Sequence, residues 1–492
     1  MTAISDRPSA ARPPADAGVA MPRNRRQTEL LMLAFAIVVV LFAYASTGLG
    51  LNGKVPAGLA EYGLAFAVLM LVAHFAVRKF APWADPLLLP LAALLNGLGI
   101  VMIYRLQQAG RNGNAGNGGP IQTLSSSATA VQVMYSAIGV AAFIAVLVFI
   151  REVRVLQRYT YTLGALGLIL IAIPALLPDS MSEVAGTGAK IQISLGGFSI
   201  QPEQFGELGL AVFFAGYLVA KRDVLSLAGR RFLGIDLPRG RDLGPVLIAW
   251  GASLLVLVFE SDIGTSALFF GLFVAMIYIA TQRTSWLLIG ILLFVFGALL
   301  AAKLFSHVGA RFTEWLHPFT VANINCVPGP AAHCVSSYQL VQGLYGLGAG
   351  GILGSGLGHG QPYITPLVQS DFIMTAFGEE LGLTGLMAML LIFGLMVQRG
   401  LRAALAVRDP FAKLLAGGLS FALALQIFII VGGVTRLIPL TGITTPFLSQ
   451  GGSSLIAIWA MVALLMRVSD AARRPAPQPI QDEGMTQVVR AG

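Results

Sequence analysis

The chain has 492 residues, 56% hydrophobic and only 11% charged, with 32 Lys and Arg against 23 Asp and Glu for a net charge of +9. Soluble domains carry about 25% charged residues, so this composition excludes a soluble enzyme, a disordered protein and a disulfide scaffold. Apolar runs in place of alternation also argue against an outer-membrane barrel. What remains is an all-α polytopic membrane protein, because backbone groups in lipid have to be satisfied within helices.

Residues 1–27 are rich in Pro, Ala and Arg and read as a disordered cytoplasmic tail, and 471–492 have the same character. Between them, twelve segments approach the span requirement of about 20 mainly apolar residues. They are 30–48, 60–77, 87–104, 129–150, 159–178, 205–220, 243–259, 263–281, 285–303, 371–397, 412–434 and 452–467. Residues 28–105 hold the first of these, and 106–470 the rest with a long loop at 304–370. Positive charge then sorts the connections. The tails and even-numbered loops carry 25 of the 32 basic residues, and the other side carries Lys54, Arg105, Arg111, Lys190, Lys303, Arg311 and Arg436. This asymmetry predicts a multi-pass plasma-membrane protein with both termini cytoplasmic and the loops 105–128, 179–204 and 304–370 outside.

The outside loops are unusual. The stretch 338–358 (YQLVQGLYGLGAGGILGSGLG) is too apolar for full solvation and predicts interfacial or re-entrant pieces. Cys326 and Cys334, the chain's two cysteines, fall in the 304–370 loop, where an oxidising exterior favours a disulfide. Charges beside apolar runs are expensive and are functional candidates. Asp262 in FESDIGT, with Thr265 and Ser266 opening a helix, and Asp371 in LVQSDFIMTAFGEELG both fit helix capping as well as function. Glu379 and Glu380 diverge by about 100° on a helix, so they cannot share one partner, and at least one should meet loop backbone or a cation. Leu437–Ser454 (LIPLTGITTPFLSQGGSS) breaks helical structure between two spans, which at membrane depth requires burial in protein or a polar cavity. No zinc spacing, Walker loop or GxSxG is present.

These stretches together resemble the SEDS family (shape, elongation, division, sporulation), the RodA/FtsW-type peptidoglycan glycosyltransferases, over about 160–470. GAKIQISLGGFSIQP, ending at Gln201 and Pro202, is similar to the family's GSRRWI…LG…QPSE loop. Asp262 to Thr265 resembles its PDLGT motif. Tyr338, Gln339, the Gly-rich run, SDFI at 370–373 and EELG at 379–382 resemble GYQ…TDFIF…EELG. Leu437–Ser454 resembles LPxTGIxLPFxSYGGSS, and details such as VGGVTRLIPLTG look most like an actinobacterial RodA. The family core has ten spans, so the first two here look like an addition.

The resemblance implies a glycosyltransferase that polymerises lipid II at the outer membrane face, for elongation or division, beside a class B penicillin-binding transpeptidase. Asp371 would be the general base. Lys190, Arg311, Tyr338, Gln339, Arg436 and Ser453 would contact substrate. Asp262, Thr265, Glu379, Glu380, Gln201, Pro202 and Glu207 would support the site. A divalent cation, Mg or Mn, held with Asp262 is the one cofactor this reading admits. The family's QPSExxK motif is altered, with Glu203 at the Ser, Gln204 at the Glu and Glu207 at the Lys; Gln192 replaces a Trp and Gln450 a Tyr. These changes keep two further readings open: a non-catalytic paralogue that activates a transpeptidase, and a lipid II flippase.

Overall fold

The computed structural model describes residues 26–111, 124–125, 127–182, 192–195, 198–225, 228–232, 235–238, 244–260, 262–321 and 335–475. Lys190, Cys326, Cys334 and the two tails lie outside the described residues, apart from the start and end of the helical bundle at 26–27 and 471–475.

The chain opens with α1 (Arg26–Asn52), α2 (Leu59–Phe80), α3 (Leu88–Arg111), α4 (Ala128–Phe149) and α5 (Thr160–Leu176). After the short α6 (Asp179–Ser182), a small hairpin of β1 (Ile193–Leu195) and β2 (Phe198–Ile200) precedes α7 (Glu203–Leu225). A second hairpin, β3 (Ala228–Phe232) with β4 (Ile235–Pro238), leads to α8 (Gly244–Glu260), α9 (Ile263–Thr281) and α10 (Thr284–Leu304). The long 304–370 loop holds α11 (Ser306–Leu316), α12 (Pro318–Val321) and α13 (Val335–Gly350). The chain ends in α14 (Ile373–Ala406), α15 (Pro410–Val434) and α16 (Gly452–Arg473).

Each of the twelve segments expected to span is largely helical, and the strands among the described residues are those of the two hairpins. Ten helices among the described residues are long and apolar enough to cross a membrane. The expected number of spans was twelve; α7 and α8 fall short of the measure. α7 carries Glu203, Glu207, Lys221, Arg222 and Asp223, and α8 has 17 residues.

Local chemistry sets the ends of the elements. Asp262 caps α9, its Oδ1 accepting from Gly264 N at 2.7 Å and Thr265 N at 3.2 Å, while left-handed Gln282 closes the helix. Asp409 caps α15, whose first residue is Pro410. Inside α14, Gly382 (φ 68°, ψ −171°) kinks the axis, and a Cβ there would lie 2.3 Å from Gly354 N. Helices α3, α9, α15 and α16 are mostly buried. Helices α1, α2, α5 and α10 present outward faces of Leu, Phe, Val and Ile suited to lipid.

Polar contacts close the bundle at one end. Arg26 pairs with Glu29 and reaches Pro82 O and Ala84 O, and Glu29 also meets His74 Nδ1 at 2.8 Å. Trp83 N donates to Asp470 Oδ1 at 2.8 Å, Asp85 N donates to Ser469 Oγ at 3.0 Å, and Arg473 pairs with Asp85. The start of α1 and the end of α16 therefore meet at the α2–α3 turn. At the opposite end, α1 packs so closely on the Gly-rich loop that a Cβ at Gly50 would sit 2.2 Å from Leu357 O.

Candidate active site

The site is built around the non-helical segment 437–451. Its residues Thr441, Thr444, Thr445, Phe447, Leu448 and Ser449 are buried, as a broken chain within a membrane bundle requires. It is the hub to which the other motif segments attach. Gln201 N donates to Ser453 Oγ at 2.9 Å, bringing the Gln201–Pro202 loop to the start of α16, and Pro202 O accepts from Phe205 N and Gly206 N to open α7. On the α9 side, a Cβ on Gly264 would touch Ile443. Gln132 Nε2, from α4, donates to Ser449 O at 3.1 Å.

The same hub holds the segment that carries Asp371. Ser449 Oγ donates to Ser370 O, and Gln450 N donates to Gln369 O at 2.8 Å. Gln339 Nε2, from α13, donates to Pro366 O at 3.0 Å, so its contact in the structure is to the chain leading to Asp371. Tyr338 is half-buried on the same helix.

The two aspartates differ in use. Both are 6% exposed. Asp262 is engaged by its cap, with Oδ2 also accepting from Thr265 Oγ1 at 2.8 Å. Asp371 stands two residues before α14, whose capping position is Phe372, with no side-chain cap. Burial pushes the Asp371 carboxyl up to about 6, against the opposing pull of the backbone N–H groups of Asp371 and Phe372 and of the Arg311 guanidinium. Burial also raises Asp262, offset by Thr265 and by Arg311. Arg311 thus acts on both acids, and its Nη1 donates to Leu440 O at 3.1 Å. Arg436 is differently engaged: its Nε and Nη2 donate to Trp315 O and Leu316 O at 2.9 and 2.8 Å.

Glu379 and Glu380 both meet the 351–361 loop. Glu380 Oε1 pairs with buried Arg105 Nε at 2.6 Å, and its Oε2 accepts from Gly358 N at 3.1 Å. Glu379 Oε1 accepts from Gln361 N. Their backbone partners, Gly358 and Gln361, are distinct but lie on one loop, while Arg105 reaches Glu380 from α3.

Sequence reasoning undervalued two residues. Glu203 Oε2 lies 3.2 Å from Thr265 Oγ1, which joins the first turn of α7 to the Asp262 cap. Its signal was an acid opening a helix. Arg105 was visible as a cation at the end of an apolar run, but its partner 275 residues away was not. Glu207 lines a small pocket with Glu203 and Thr265, and its Oε1 is enclosed with no hydrogen-bond partner among the described residues. Among the described residues, no group of three or more His, Cys, Asp and Glu side chains is placed to hold a metal ion.

Fold and site together define a multi-pass membrane protein in which Asp262, Asp371, Glu379 and Glu380 are buried near the broken segment 437–451. Comparison with known proteins narrows this class. The cell cycle protein family of FtsW, RodA and SpoVE matches residues 85–474, from the α2–α3 turn to the end of α16. The chain is 48% identical over 452 residues to the peptidoglycan glycosyltransferase RodA of Mycobacterium tuberculosis, covering 92% of each. It is 46% identical to that of Mycobacterium leprae over the same length, and 30% identical over 403 residues to the stage V sporulation protein E of Bacillus subtilis, covering 80% of this chain and 98% of that one. A crystal structure of the Thermus thermophilus rod shape determining protein RodA shares the fold, with TM-score 0.52 and 20% identity over 80% of this chain and 98% of the other. The chain belongs to the FtsW/RodA/SpoVE family, the SEDS proteins of cell-wall synthesis, shape and division.

Proposed function

We propose that the protein polymerises lipid II into glycan strands at the outer face of the plasma membrane, with Asp371 as general base. The observation that carries this reading is the state of Asp371, a buried acid that caps no helix, held in place by Gln339, Ser449 and Gln450 and facing Arg311. As the acceptor GlcNAc 4-hydroxyl attacks C1 of the donor MurNAc, its proton passes to the Asp371 carboxylate. The new O–C1 bond forms while the bond from C1 to the diphosphate oxygen breaks. The electron pair leaves on undecaprenyl diphosphate, and C1 inverts. Arg311 supplies positive charge beside the acids. A divalent cation, if one takes part, would be held by Asp262 and Glu203, joined through Thr265, together with substrate phosphates. When bound, it would neutralise the leaving diphosphate.

The positive-inside asymmetry supports cytoplasmic termini, which places this end of the bundle outside. The family resemblance supports a class B penicillin-binding transpeptidase as partner. The test is direct. Purified protein given lipid II should build glycan strands on a gel, and Asp371→Asn should abolish them while detergent-extracted yield and melting midpoint stay near wild type. Undiminished polymer from that variant rejects the assignment. Glu207, an acid whose Oε1 has no hydrogen-bond partner among the described residues and which stands where the family has Lys, supports the scaffold reading instead. That reading gains if the wild type makes no polymer yet stimulates its transpeptidase.

A further inference from the structure

Arg436 and Arg311 look alike in the sequence, two cations on the substrate side. The structure separates them. α11 is strongly amphipathic, and Arg311 and Trp315 lie one turn apart on the same face. That face meets the 436–440 chain through two contacts: Arg311 Nη1 donates to Leu440 O, and Trp315 Nε1 donates to Arg436 O at 3.1 Å. Arg436 answers the second. Its fork reaches Trp315 O and Leu316 O, two of the terminal carbonyls that a helix leaves without intrahelical partners. Arg436 also has φ 62°, a left-handed conformation uncommon outside glycine, and its N–H donates to Gly433 O. A residue held in such a conformation while its side chain and main chain both bond one helix end is a fixed clasp.

We propose that Arg436 is a positioning residue: by pinning the C-terminal end of α11 to the turn after α15, it holds Arg311 beside Asp262 and Asp371. This rests on the reading of Asp371 as the polymerase base. The charged groups acting on Asp371 are Arg311, from α11, and Asp262, at the start of α9. Arg311 favours the ionised form, so displacing it makes the base harder to ionise and moves the acid limb of the rate profile to higher pH.

The experiment compares full-length purified wild type with Arg311→Gln, Arg436→Ala, Arg436→Lys and the Arg311→Gln/Arg436→Ala double variant. Both single losses should cut kcat about tenfold or more and shift the acid limb upward. The double variant should be no worse than Arg311→Gln alone, because the two act in series. Arg436→Lys, which keeps charge but lacks the fork, should recover part of the rate. Amide exchange over 306–316 should quicken in Arg436→Ala and stay slow in Arg311→Gln. Should Arg436→Ala misfold, Trp315→Phe removes the indole bond alone and should quicken the same exchange. Wild-type kinetics in Arg436→Ala, additive losses in the double variant, or unchanged exchange would each overturn the proposal. If wild-type protein makes no polymer, the polymerase reading fails, while the exchange comparison still decides whether Arg436 pins α11.

Discussion

If Asp371 is the general base proposed above, an acid form that persists to about pH 6 leaves a mark on the rate. The polymerisation rate should be level above neutrality and fall as pH drops through about 6, following the ionised fraction of Asp371. A rate constant from pH 5 to 8 would remove Asp371 from that role. At Glu207 the expectation runs the other way. An enclosed carboxylate oxygen without a partner is costly, so Glu207→Gln should raise the melting midpoint in detergent, and a clear fall would show that the acid has an unseen partner. Much of the site could be read from scarcity at this scale. With charges forming only 11% of the chain, Asp262, Asp371, Glu379 and Glu380 stood out against apolar neighbours. Their division of labour was not legible, because Asp262 and Asp371 have the same local setting and only three-dimensional placement shows that one caps and the other does not.

Between elements, Arg105 of α3 and Glu380 of α14 form a buried pair that also fastens the 358–361 loop through Gly360 O and Gly358 N. Removing one partner leaves the other buried and uncompensated, so Arg105→Ala should cost about 3–5 kcal/mol, seen as a lower melting midpoint and faster proteolysis of 351–361. Gly50 is the matching test on α1. Any side chain there meets Leu357 O, so Gly50→Val should destabilise the same loop although it lies in a helix outside the stretch that matches the family. A melting curve and loop proteolysis identical to wild type would show that α1 is a passive anchor. The helices and the break at 437–454 followed from apolar periodicity, Gly and Pro. The partners of Arg105 and Gly50 did not, since contacts across some 300 residues leave no local pattern.

On the scale of the whole molecule, the Arg26–Glu29–His74 cluster and the Asp85–Arg473 pair bring the first and last described helices together at one end, and Asp262, Asp371, Glu379 and Glu380 lie at the other. A cysteine placed beside Asp85 and one placed beside Leu357 should therefore react with an impermeant thiol reagent from opposite sides of the membrane, the Leu357 side from outside whole cells. Labelling of both from one side would refute the topology.

The Arg105–Glu380 tie also has a consequence in time. The two residues are 275 positions apart, and Gln132 waits 317 positions for Ser449 O. At about 5–20 residues per second, synthesis leaves the Arg105 guanidinium in the membrane region without its carboxylate for roughly 15–55 s. Burying that unpaired cation is costly, so α3 should settle with its Arg105 end drawn toward water, or sheltered by the insertion machinery, until α14 arrives. A chain that stops short of Glu380 would carry that unpaired cation permanently, a mark by which unfinished copies can be told from finished ones.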